Sequence, residues 1–177
     1  MKPLLKARLL LAAAATLSLA SCVDPLIPRQ VPFNEADFLW SKGHGTGSVE
    51  GQAYVFMNDN SARMVQQDSV GLTPVTPYST ESMKVRFEQS KNLGPDDPRY
   101  SLYCRVATTD DLGHFSFHNV PSGEYYVATS VEWSHWYWND TDKVTVDESV
   151  PMYARVTIRN GETIKVTDWI YGKQKSS

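Results

Sequence analysis

An all-β sandwich is the fold this chain predicts, and three observations carry the prediction. From Ser48 onward, short runs rich in Val, Tyr, Phe, Ile and Thr are separated by clusters of Gly, Pro, Asn and Asp. Within the runs, apolar and polar residues alternate at a period of two, and no stretch carries a sustained apolar stripe at helical spacing. The run-bearing part is about 120 residues long, which suits one domain, since domains most often span about 100–150 residues.

The predicted strands are 49–57, 84–88, 101–107, 113–118, 124–133, 143–146, 152–158 and 163–170, with a further one near 70–75. Alternation assigns their faces. Phe115 and Phe117 point to the core, with His114, Ser116 and His118 opposite. Tyr125, Val127, Thr129 and Val131 form one face of the next strand, and Tyr126, Ala128, Ser130 and Glu132 the other. In the run 101–107, Leu102, Cys104 and Val106 share a side, so Cys104 reads as a small buried apolar residue rather than a reactive thiol. Val156 and Ile158 precede Arg159-Asn-Gly-Glu162, and Ile164 and Val166 follow it; Asn160-Gly161 predicts a hairpin between them. Two connections, 58–83 and 89–99, are longer than a minimal sandwich needs.

Ahead of the domain, Lys2, Lys6 and Arg8 precede an apolar stretch over 9–20 that is too short to span a bilayer as a helix. It ends in Leu19-Ala20-Ser21-Cys22, which resembles the lipobox of bacterial lipoproteins. The resemblance implies that residues 1–21 are a signal peptide and that Cys22 is acylated and becomes the new N-terminus. Two or more acyl chains hold a protein stably at a membrane. Val23, where inner-membrane lipoproteins carry Asp, favours the outer membrane of a two-membrane envelope. Residues 22–47 contain Pro25, Pro28 and Pro32 and read as a flexible tether, with Phe33, Phe38, Leu39 and Trp40 expected to dock on the domain. The sandwich itself is assigned to 48–171, and 172–177 form a polar tail.

The most specific stretch lies between Thr109 and Val127. Asp110, Gly113, Phe115, Val120, Pro121, Gly123 and Tyr125 stand where carboxypeptidase regulatory-like domains carry their Asp-x-x-Gly-x-Phe and Val-Pro-x-Gly-x-Tyr pattern, with Phe117 a second inward ring. The segment therefore resembles that family of transthyretin-like, immunoglobulin-like sandwiches. The resemblance extends to 47–56, similar to the family's first strand, and it implies a non-catalytic binding, support or spacer module.

The chemistry the residues offer is narrow. The chain carries a formal charge of −3; removing the signal's three basic residues leaves 14 basic against 20 acidic ones, a charge of −6. Without a basic cluster, nucleic acid is not an expected partner. His114 and His118 lie about 13 Å apart along a strand, too far to chelate one ion, and no metal or other cofactor is expected. There is no nucleophile elbow and no acid, base and nucleophile set, so the chain is not expected to be an enzyme. The best candidate contact surface is the run from Trp133 to Trp138. Trp133 is assigned to the core, and His135, Trp136, Tyr137 and Trp138 to contact with a ligand or partner. Two functions follow as expectations: a membrane-anchored module that binds a protein or supports envelope assembly, or a carbohydrate-binding module acting through 133–138.

Overall fold

The computed structural model describes residues 25–57, 59–173 and 175–176. The signal peptide and Cys22 lie outside the described residues. Two sheets face each other. The smaller has the order β6-β1-β9, formed by β6 (His114–Val120), β1 (Gly47–Gln52) and β9 (Thr163–Val166). The larger runs β10-β8-β7-β4-β5, built from β10 (Ile170–Tyr171), β8 (Asp142–Ile158), β7 (Gly123–Asn139), β4 (Ser69–Pro74) and β5 (Arg105–Thr108). A short strand β11 (Lys175–Ser176) adds to β8, and β2 (Tyr54–Phe56) pairs separately with β3 (Ala62–Met64).

The core between the sheets follows the alternation in the sequence. Val49, Phe115, Phe117, Val120 and Val166 come from the smaller sheet and meet Val70, Leu72, Tyr125, Val127, Val131, Met152 and Ile158 from the larger. The motif turn works as its residue types require. The Asp110 carboxylate accepts from the backbone N–H of Leu112 at 2.9 Å and of His114 at 2.8 Å, closing an Asx turn. Gly113 has φ +82°, and a Cβ there would stand 2.6 Å from the Ala53 carbonyl oxygen, so both conformation and space select glycine. The Tyr125 hydroxyl donates back to the Pro121 carbonyl at 3.0 Å, pinning the second half of the motif.

Several elements differ from the sequence expectation. Residues 84–88 are not a strand: a helical segment, α1 (Pro77–Ser82), continues into a π-helical turn, Met83–Glu88. A capping box starts it. The Thr76 side chain accepts from the Ser79 N–H, the Ser79 hydroxyl accepts from the Thr76 N–H, and Pro77 sits in the first turn. Met83 and Phe87, four residues apart, then lie on Tyr126 and Tyr153 and cover the outer face of the larger sheet.

The run 101–107 begins as a 3-10 helix, Pro98–Tyr103, before β5. Leu102 and Val106 are consequently exposed, while Tyr100 and Tyr103 are buried. Cys104 is half-buried, within hydrogen-bond reach of Thr73 and Tyr100, and burial pushes its thiol pKa up. A raised thiol is a poor nucleophile, in line with a structural role. The turn at Asn160-Gly161 does not make a hairpin. It passes the chain from β8 in the larger sheet to β9 in the smaller, where β9 pairs in parallel with β1. Val156, Ile158 and Val166 still face the core because the turn joins the two layers of one sandwich.

The segment assigned to a flexible tether is docked from residue 25 onward. Ile27 pairs with Leu93 in an isolated bridge, with Ile27 donating to the Asn92 carbonyl at 2.8 Å and Gly94 to the Ile27 carbonyl at 2.7 Å. Arg29 lies over the Tyr78 ring at 4.0 Å and bonds Glu81, Ser82 and Asp96. Phe38 is buried among Tyr78, Tyr100 and Tyr103, with Phe33 stacked on it at 5.1 Å, and Trp40 packs on Tyr125; Leu39 stays exposed. The two long connections thus have a structural purpose: the first brings Tyr78 to a second, aromatic core beside the sandwich, built with residues 25–41 and the 3-10 helix Pro98–Tyr103, and the second holds Ile27 and Arg29 in place.

Candidate functional site

The Trp-rich run does not end a strand. β7 and β8 pair without interruption from Gly123↔Ile158 to Asn139↔Asp142, and the chain reverses at Asp140-Thr141, with Asp140 at φ +48°. β4 accompanies β7 only as far as Ala128, and β11 begins on β8 at Glu148. The stretch 132–147 is therefore a two-stranded arm that leaves the sandwich. Its eight residues per strand at about 3.3 Å each carry its tip roughly 23 Å outward.

Period two divides the arm into two faces. Trp136 and Trp138 share one with Ser134, Lys143 and Thr145, and the two indoles stand about 7 Å apart along the strand. His135 and Tyr137 share the other with Val144 and Val146. Trp133, on the same side as His135, is half-buried against the main core, as expected of it. Trp136 is 57%, Tyr137 50% and Trp138 65% exposed, so these rings do not serve the core. The Lys143 ammonium lies 4.7 Å from the Trp136 ring centroid, a cation–π contact that places a hydrogen-bond donor beside the indole. The Ser134 hydroxyl donates to Asp147 at 2.5 Å, and His135 Nδ1 is 3.7 Å from Glu148. An isolated hairpin is marginal in water. Here cross-strand pairs and continuity with the sandwich hold one.

The four contact residues named from the sequence are thus brought onto one projection, but on two faces of it: Trp136 and Trp138 on one, His135 and Tyr137 on the other. The sequence reading missed a second concavity. A cleft of about 840 Å³ lies against the smaller sheet, with Glu50, His114, Lys165, Tyr54 and Trp169 among its lining residues. Its signal was faint, because the polar residues involved come from three strands distant in sequence. His114, one of them, is held by Asp110 at 3.0 Å.

Comparison with family models gives no match, and neither does comparison with curated proteins. Among solved structures, the chain is similar to one from Pseudomonas aeruginosa described as a "putative carbohydrate binding protein". The two share 25% identity at a TM-score of 0.60, over 76% of this chain and 94% of that one. The fold and the arm together define an all-β sandwich with an aromatic projection, similar in fold to that protein.

Proposed function

We propose that the chain is a non-catalytic module of an exported bacterial lipoprotein, held at the outer membrane through Cys22, that binds carbohydrate on the aromatic arm. The observation that carries the reading is the exposure of Trp136 and Trp138 side by side on one face of a ribbon. Flat indoles bared to water present apolar area at little entropic cost, and sugar rings offer the matching C–H faces. The likeness to a structure described as a carbohydrate binding protein supports the same reading. The motif from Asp110 to Tyr125 supports a carboxypeptidase regulatory-like module, a kind that binds or supports rather than catalyses.

A glycan array tests the binding. The chain is expected to retain a defined set of glycans, and Trp136→Ala to weaken that binding by about 2 kcal/mol, roughly thirtyfold, as loss of an aromatic anchor does. Absence of any hit, or unchanged binding by the variant, rejects the reading. Anchoring is tested by mass spectrometry of the native product. It should begin at Cys22 with a thioether-linked lipid, and an unmodified Cys22 or a cut elsewhere would remove the membrane from the account.

One observation favours a protein partner instead. The outer edge of β7 from Ser130 to Asn139 pairs with no described strand, and an open edge accepts a strand from another chain. In-cell crosslinking from this edge to one defined protein, with no glycan bound by the array, would favour an envelope-assembly role.

A further inference from the structure

The geometry points to the cleft on the smaller sheet as a second saccharide site, separate from the arm, that takes a short, uncharged oligosaccharide or a chain end. The choice of ligand class rests on the carbohydrate reading above; the existence of the site rests on the cleft itself.

Register places its polar groups. Glu50 pairs with Ser116 on one side and with Lys165 on the other, so the three form one row across the sheet. Strands about 4.8 Å apart make that row roughly 10 Å wide. Gln52 and His114 pair in the next row on the same side, about 7 Å further along. Val49, Phe115, Phe117 and Val166 fill the core side, so all five polar residues belong to the opposite face. Tyr54 and Trp169 add aromatic surface where the cleft reaches past the sheet to Phe115 and Val166; the Trp169 indole lies edge-on to Phe115 at 6.0 Å and is fixed by donating to the Gln52 carbonyl at 3.0 Å.

Gln52 is committed, its amide donating to the Leu112 carbonyl at 2.8 Å, but the other groups keep free capacity. Glu50 and Lys165 are cross-strand neighbours of opposite charge, a combination that ordinarily pairs. Yet neither makes a hydrogen bond or ion pair with any described residue, and the Ser116 hydroxyl and the Tyr54 phenol are likewise free. His114 spends Nδ1 on Asp110 and keeps Nε2. The result is an acceptor, an ammonium donor, two hydroxyls and an imidazole nitrogen around an aromatic-walled space. Its volume falls within the roughly 300–1,000 Å³ of small-molecule sites.

The charges select the class. Glu50 and Lys165 stand opposite each other in the central row, so neither a polyanion nor a polycation is matched. A polyhydroxylated ring meets donors and acceptors alternately and lays its C–H face on Trp169 or Tyr54. The cleft also opens at the end of the sandwich from which the arm departs. Thr108, in its lining, pairs with Ser69, whose carbonyl accepts from Thr129 just before the arm begins.

The test is a residue-resolved NMR titration of the full chain with maltotetraose, cellotetraose and chitotetraose in turn. At least one should move the amide signals of 50–52, 114–116 and 165–166. Those shifts should persist in Trp136→Ala, while Glu50→Gln combined with Lys165→Met weakens the binding by about tenfold or more, the effect of losing hydrogen bonds to charged groups. The double variant changes two side chains without protein partners, so its spectrum elsewhere should match the parent. Shifts confined to 133–145 overturn the cleft and leave the arm standing. Shifts in the cleft alone uphold the site and count against the arm. No shifts with any of the three overturn the cleft, and a blank glycan array would then separately dismiss the arm.

Discussion

Replacing Phe38 by alanine is expected to lower the unfolding free energy by about 3–5 kcal/mol, the usual cost of removing a buried aromatic ring from a packed core. The ring is wholly buried and meets Phe33, Tyr78, Tyr100 and Tyr103 at centroid distances of 5.1–6.4 Å. No neighbour is placed to refill the space, because each of the tyrosines is fixed from elsewhere. The Tyr78 hydroxyl accepts from the Asp97 N–H at 2.7 Å, Tyr103 donates to Glu35, and Tyr100 lies edge-on to Tyr78. Chemical denaturation checks the figure. A change below about 1 kcal/mol would mean that the segment 25–41 does not pack on the domain in solution.

Arg29→Met is the second large expectation, at about 3 kcal/mol, the lower end of what removing one partner from a buried ion pair costs. The guanidinium is nearly buried and serves Glu81, Asp96, Ser82 and the face of Tyr78. Asp96 keeps Arg86 at 2.8 Å, and Glu81 keeps the backbone N–H of Gln30 at 2.6 Å, which is why the loss stays near the lower end. Arg155→Met serves as the control. Its pair with Glu124 is about half exposed on both sides, and such pairs contribute about 0–1 kcal/mol. Limited proteolysis gives a second readout: cleavage between 25 and 41 should appear in Arg29→Met and not in Arg155→Met. Equal behaviour of the two variants would contradict the clamp.

Why these residues did not declare themselves in the sequence is a matter of range. Arg29 and Asp96, or Phe38 and Tyr100, are more than 60 positions apart, and periodicity reports only what local backbone geometry repeats. The centre of the fold was legible for the converse reason. Between Asp110 and Tyr125 each residue type answers a local need: an Asx turn, a left-handed glycine, two inward rings and a return to the core. Period two also identified the buried sides of β6, β7 and β8 correctly.

Lys84-Val-Arg-Phe-Glu88 shows how five residues mislead. Its alternation fits a strand, but the Thr76 cap and the pull of Tyr126 and Tyr153 on Met83 and Phe87 wind it into a helix. The Asn-Gly turn misled through its most common use. Its two flanking pairs face the core from opposite layers, and sequence alone does not distinguish that from a hairpin.

The arm was half legible. Its aromatic residues were picked out, but the strand was read as stopping near Trp133 and resuming at 143, because beyond the sandwich both faces meet water and the inside-outside alternation disappears. β8 was likewise read in two pieces, 143–146 and 152–158, with Pro151 between them. The strand nonetheless runs through it, paired with Ser130, while its carbonyl accepts from Gly172 at 2.7 Å. The cleft was not legible, since it is made by register among three strands.

The central claim is that the arm recognises carbohydrate and contributes little to the fold. A variant lacking 134–147, with Trp133 and Glu148 joined through an Asn-Gly turn suited to two paired strands, tests it most directly. Measured together, its denaturation midpoint should match that of the full arm, while its affinity for a polysaccharide that retains the parent falls by about tenfold or more. Undiminished affinity for that polysaccharide, or collapse of the sandwich on losing the arm, would contradict the account.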